Sequence, residues 1–167
     1  MAAVPARGSL STATNYFAYG ANMAPSVMAA WCPNHVCLGA ARLGGYELAF
    51  LRRSVRWDAG AADIVPSPGA SVWGVLYELS GDDLAALDAK ESSGKGYRRI
   101  DVRIELLDGS ERTAACYEVI EKAERELRPR PEYLALLVKG ARARGLPAPW
   151  IAFLEGLGER FGLPGRA

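Results

Sequence analysis

Tyr16-Phe17-Ala18-Tyr19-Gly20-Ala21-Asn22-Met23 passes from an apolar run into small residues and then meets Pro25. That order reads as strand, loop and helix. Residues 16–18 form the strand, the Gly-Ala-Asn step forms the loop, and a short helix covers residues 25–31 with its proline in the first turn. A small-residue loop at a helix start presents backbone N–H groups, which suit an anion or a developing oxyanion. The commoner use of such a loop is a plain turn. Its meaning therefore depends on an acidic partner elsewhere in the chain.

The remaining pattern is mostly strands. Residues 37–43 and 46–51 read as two strands joined at Gly44-Gly45, a hairpin signal. Residues 52–71 carry Arg52, Arg53, Arg56, Trp57 and several Gly and Pro, and read as a long loop with one short strand near 62–65. Residues 72–79 are almost continuously apolar, as in a strand buried on both faces. Residues 99–106 alternate: Ile100, Val102, Ile104 and Leu106 share one side, and Arg99, Asp101, Arg103 and Glu105 the other. Asp108-Gly109 turns the chain back into a returning strand over 113–119. Residues 121–131 read as a charged, proline-punctuated linker. Two helices follow, over 131–144 with Gly145 just past its end and over 148–161. The sum is an α+β domain with a curved or closed sheet and peripheral helices.

The 167 residues make one domain by size, and half of them are hydrophobic, enough for a sizeable core. Residues 1–14 read as a disordered start without an apolar core; the folded domain is expected over 15–162. A net charge of +1 leaves no electrostatic footprint for nucleic acid. No apolar run is long enough to span a bilayer. Cys32, Cys37 and Cys116 are an odd number at irregular spacing, which argues against a disulfide framework and fits a reducing cytoplasm. Cys32, His35 and Cys37 lack a fourth ligand, so no metal is expected. His35 is the only histidine and sits in a Pro-Asn-His turn, which leaves no Ser-His-Asp triad. Acid–base chemistry here falls to a carboxylate, a tyrosine or a lysine.

The acidic partner comes from residues 80–91. Ser80 can cap a helix over 81–90, with Asp83 as the acidic half of a capping box. Leu84, Leu87, Asp88 and Glu91 then share one face, and the two leucines mark that face as inward. Glu91 falls at the helix C-terminus, on or near the buried side, where it can serve as a general base; the plainer alternative is a solvated carboxylate at a frayed end. Asp88 lies inside the helix and is the weaker candidate. Arg52, Arg53 and Arg56 are either a solvated basic loop or cations for a substrate carboxylate.

Four segments, in this order, resemble the gamma-glutamylcyclotransferase (AIG2-like) family over residues 16–157. Phe17-Ala18-Tyr19-Gly20-Ala21-Asn22-Met23 is similar to its Tyr-Gly-Ser-Asn-Leu loop, and Val72-Trp73-Gly74-Val75-Leu76-Tyr77 to one of its strands. Leu87-Asp88, Glu91 and Tyr97 are similar to its Leu-Asp-x-x-Glu-Gly segment and trailing tyrosine. Tyr133, Gly140-Ala141 and Gly145-Leu146-Pro147 complete the set. Ala21 stands where the family usually has serine, Ser92 where it has glycine, and Tyr97 follows Glu91 one residue early. Asn22 favours this branch over glutathione-specific relatives with a Tyr-Gly-Ser-Leu loop.

The resemblance implies a mixed β-barrel surrounded by helices, one pocket, no cofactor and a dimer. It implies that the α-amine of a γ-glutamyl amide attacks the γ-carbonyl, releasing 5-oxoproline and an amine or amino acid. Glu91 then matches the catalytic glutamate. Tyr19, Gly20, Ala21, Asn22 and Met23 match the substrate-binding loop, and Tyr97 and Tyr133 match pocket tyrosines. Such a reaction needs no nucleophilic side chain, because well-oriented intramolecular reactions reach effective molarities of about 10⁵–10⁸ M. Two variants stay open: removal of a γ-glutamyl protecting group from a biosynthetic amine, and a non-catalytic binder of a small carboxylate or amine. A hydrolase using Cys32 or Cys116 lacks a placed base.

Overall fold

The computed structural model describes residues 12–91 and 96–164. Among them, β1 (Thr14–Ala18), β2 (Val36–Ser54), β3 (Ala59–Leu79), β4 (Tyr97–Leu106) and β5 (Glu111–Val119) close into a barrel in the order β1-β3-β2-β4-β5. Neighbours are antiparallel except β1 and β5, which run parallel and shut the barrel where Tyr16 meets Ala115. Four helices accompany it: α1 (Pro25–Trp31), α2 (Gly81–Glu91), α3 (Pro131–Ala143) and α4 (Ala148–Arg160). This is the mixed barrel with helices that the resemblance implied. Of the expected disordered start, positions 1–11 lie outside the described residues, and Thr14 already pairs with Leu79.

Phe17, Leu43, Ile64, Leu76, Tyr77 and Ile104 are fully buried and belong to the core that the sheet forms with its helices. The alternation of β4 is kept, with Val102 and Ile104 buried and Arg99, Asp101 and Arg103 exposed. One inward residue in two is what a strand with a single core-facing side requires.

Two expectations fail, and a third gains partners, for one reason. Gly44-Gly45 is not a hairpin: β2 runs straight through it, and the pairing with β3 slips between Gly44 and Tyr46 with Gly45 at φ +78°. The glycines make a bulge, which bends the strand as closure of a barrel demands. Residues 52–71 are not a long loop. They pair from Tyr46↔Pro66 to Ser54↔Ala59, so the turn is only residues 55–58. Residues 121–130 have no regular structure, as a linker between β5 and α3 would, but backbone bonds strap this stretch to the barrel. Ile120 N–H donates to Gly96 O (3.0 Å), Ala123 N–H to Leu51 O (2.9 Å), Leu127 N–H to Phe50 O (2.8 Å), and Gly60 N–H to Arg128 O (3.0 Å). In each case long-range pairing supplies partners that the local sequence does not advertise.

The strap is pinned by Asp63, whose side chain is fully buried. Its carboxylate accepts from Val119 N–H (2.9 Å) and from Lys122 Nζ (2.6 Å). The β2–β3 ribbon is thereby tied to the end of β5 and to the strap, next to Ala61 and Ala62, which line the site.

Candidate active site

Glu91 is the last residue of α2. Leu87, one turn earlier, is fully buried and seats that helix on the barrel. At the other end Ser80 Oγ accepts from Asp83 N–H (3.2 Å). The second half of the expected capping box is absent, because the Asp83 carboxylate accepts from Asn34 N–H (2.9 Å) instead. Asp83 thus ties α2 to the turn after α1. Asp88 is drawn elsewhere, accepting from Tyr117 OH (2.5 Å) and pairing with Arg99 (2.6 Å). It does not line the cavity into which Glu91 opens.

Residues 19–23 are held from below. Ala21–Met23 form a single 3₁₀ turn leading into α1. Tyr77 OH lies 3.0 Å from Asn22 O and 3.2 Å from Met23 O. Tyr19 OH donates to Tyr117 O (2.5 Å). Helix α3 presses on the turn through Gly140, where a Cβ would fall 2.7 Å from Ala24 N and 2.8 Å from Met23 C. Only a residue without a side chain fits there.

Between the turn and Glu91 lies a cavity of about 460 Å³. Tyr19, Gly20, Ala21 and Asn22 line it, as do Glu91, Tyr97 and Tyr133. Met23 does not; its side chain is fully buried in the core. The Glu91 side chain is 18% exposed, with Oε1 3.2 Å from Asn22 Nδ2 and 3.4 Å from Lys90 Nζ. Asn22 is itself buried and fully engaged: Nδ2 also donates to Tyr16 OH (2.9 Å), and Oδ1 accepts from Lys90 Nζ (2.7 Å). Its side chain therefore orients Glu91 and Lys90.

Tyr97 and Tyr133 converge on one residue of β3. Tyr97 OH donates to Ala62 O (2.8 Å), and Ala62 N–H donates to Tyr133 OH (3.0 Å). The phenols satisfy backbone groups facing the cavity, which would otherwise be buried without partners. Burial pushes Tyr16, Tyr19, Tyr97 and Tyr133 well above the usual phenol range, and the nearby Glu91 charge adds to this for Tyr16, Tyr97 and Tyr133. All four are neutral phenols near pH 7. Burial pulls Lys90 below the usual lysine value, partly offset by the Glu91 charge.

The three arginines separate. Arg52 lies over the Tyr97 ring (5.3 Å to its centroid) and Arg56 over Trp57 (5.9 Å), and both line the cavity. Arg53 pairs with Asp58 on the surface. Neither Cys32 nor Cys116 lines the cavity. Burial pushes the Cys32 thiol up to about 11 and Cys116 higher still, so neither is a ready nucleophile. His35 Nδ1 donates to Cys32 O (2.6 Å), away from the site. Ser92, which stands where the family has glycine, lies with residues 93–95 outside the described residues.

Sequence reading missed Lys90, Tyr16, Tyr117 and Ala62. Lys90 adjoins Glu91, and a cation beside a proposed base was a usable signal. Ala62 acts through its backbone and carries no signal in its side chain.

The AIG2-like family model matches residues 71–154. A gamma-glutamylcyclotransferase of Bos taurus is 33% identical over 137 residues, 79% of this chain and 72% of that one. The Homo sapiens protein of the same name is 32% identical over the same shares. A solved structure of a gamma-glutamyl cyclotransferase superposes with a TM-score of 0.82 at 27% identity, covering 93% of this chain and 90% of that one.

Proposed function

The chain belongs to the gamma-glutamylcyclotransferases of the AIG2-like family, and from that premise we propose that Glu91 drives ring closure of a γ-glutamyl amide. The α-ammonium gives a proton to Glu91, and the freed nitrogen attacks the γ-carbonyl carbon. The tetrahedral intermediate collapses with cleavage of the original amide C–N bond. Glu91 returns the proton to the departing amine, then takes the second proton from the ring nitrogen and passes it to the amine product or to solvent, and 5-oxoproline remains. Backbone N–H groups of the Gly20–Asn22 turn receive the substrate carboxylate or the oxyanion. Ala21 offers no hydroxyl there, so these contacts are main-chain ones.

One observation carries this reading: a shielded carboxylate and the glycine turn line the same cavity. Charge supports it. Lys90, Arg52 and Arg56 outnumber Glu91 among the charged residues of the lining, an excess of positive charge that favours a substrate bearing carboxylate. Tyr97 and Tyr133 form a neutral wall that bends the glutamyl chain. The buried free thiols Cys32 and Cys116 fit a reducing compartment, and we assign the enzyme to the cytoplasm on that ground. Among the described residues no helix is long and apolar enough to cross a membrane.

The test is mass-spectrometric detection of 5-oxoproline from a panel of γ-glutamyl amino acids and γ-glutamyl amines. Glu91→Gln keeps the shape and removes the base, so kcat should fall by about 10²–10⁴-fold. Normal turnover by that variant would end the proposal.

A further inference from the structure

The cavity changes character from floor to mouth. Its floor is buried and hydroxyl-rich: Tyr16, Tyr19 and Tyr133 are each at most 6% exposed. Its mouth is mainly apolar, with Arg56 stacked over Trp57 at its rim. Val27 and Trp31, one turn apart on α1, line it together with Val55 and Trp57 of the β2–β3 turn and Leu136 of α3. Trp31 is 39% exposed and Val55 is 92% exposed. Trp31 lies against the Lys90 ammonium (5.3 Å) and Trp57 packs edge-on to Tyr133 (5.6 Å), so both tryptophans join the mouth to the floor.

Large apolar side chains gathered at the open end of a reactive cavity leave surface uncovered until a ligand fills it. The glutamyl half of the substrate is polar and takes the floor, where Glu91 and the turn stand. The leaving half must occupy the mouth. We infer that this enzyme selects γ-glutamyl donors whose leaving amine carries a bulky apolar group, aromatic or branched, which packs against Trp31, Val55 and Trp57. The inference rests on the cyclotransferase reading above and adds the specificity-determining residues.

The experiment compares kcat/KM for 5-oxoproline release from γ-glutamyl-phenylalanine and γ-glutamyl-glycine. The phenylalanine donor is expected to lead by about 10–200-fold, the range hydrophobic pockets give for small differences in apolar size. Val55→Asp, at an exposed turn position that folding tolerates, should reduce that ratio by up to about tenfold, because the bulky donor loses the apolar contact it would bury against Val55. Equal values for the two donors, or a lead for glycine, would overturn the specificity and leave ring closure standing. A ratio unmoved by Val55→Asp would refute the assignment of the mouth. No 5-oxoproline from either donor or from any member of the γ-glutamyl amine panel, with folded protein by circular dichroism, would sink both readings.

Discussion

Lys90 Nζ donates to Asn22 Oδ1 at 2.7 Å, and the same Asn22 reaches Glu91 through Nδ2 at 3.2 Å. A residue of the early turn therefore sets the position of two charges at the end of a helix 68 positions away. Asn22 contacts both of them, and it also bonds Tyr16.

Replacing Asn22 by Ala removes all three links and frees Glu91 to move. Displacing a reacting group by about 1 Å is enough to lose about 10²-fold in rate. Asn22→Ala should therefore lower kcat by about 10²-fold in the 5-oxoproline assay. A rate near that of the unaltered protein would show that Glu91 is held by other means.

Tyr133→Phe removes one oxygen and leaves the buried Ala62 N–H without its acceptor. An orphaned buried donor costs about 1–3 kcal/mol. Urea unfolding should report that loss, and KM should rise because the cavity wall loosens. Unchanged stability would mean that water replaces the phenol oxygen.

Two glycines in helices should respond in opposite directions. Gly140→Ala drives a methyl into Ala24 N and Met23 C, which overpacking data put at about 1–3 kcal/mol of destabilisation. The displaced atoms belong to the substrate turn, so turnover should fall as well. Gly156, inside α4, has nothing within 4 Å of an added Cβ. Gly156→Ala should stabilise by about 0.8–1 kcal/mol through helix propensity. Thermal melts of the two variants, read side by side, check both signs.

Burial raises the pKa of six tyrosines, Tyr16, Tyr19, Tyr77, Tyr97, Tyr117 and Tyr133, above the ordinary value near 10. For a group raised in the folded state, the folded chain holds more protons above the unfolded pKa. The stabilisation is whole below about pH 10 and is lost as pH climbs toward the folded values, by up to about 1.4 kcal/mol per pH unit per group. Unfolding free energy should be insensitive to these groups below about pH 9 and drop steeply above 10. Tyrosinate absorbance should rise together with loss of structure. Titration of all the phenols at pH 10 in a still-folded protein would contradict this.

Periodicity and end signals were enough for β4, β5, α1, α3 and α4, because each is specified by its own side chains: alternating apolar residues, a proline at a helix start, a glycine past a helix end. The same local reading failed at Gly44-Gly45 and over 52–71. Whether a glycine pair bulges or turns is settled by what the strand must reach, and here β2 must bend around a closed barrel. The strap at 121–131 escaped detection because its bonds to Phe50, Leu51, Gly60 and Gly96 are made by the backbone.

The chain's own residues were sufficient to identify a glycine turn, a carboxylate near a helix end and a family pattern joining them. Local geometry makes those features, and local geometry is written in neighbouring side chains. Tertiary structure alone decided that Glu91 shares a cavity with Asn22 and Lys90, that Arg52 and Arg56 line it while Arg53 does not, and that Met23 is core. Those outcomes depend on the closure of β1 onto β5 and on Asp63 pinning the strap. Each is a contact between distant positions whose partners emerge only once the barrel is shut.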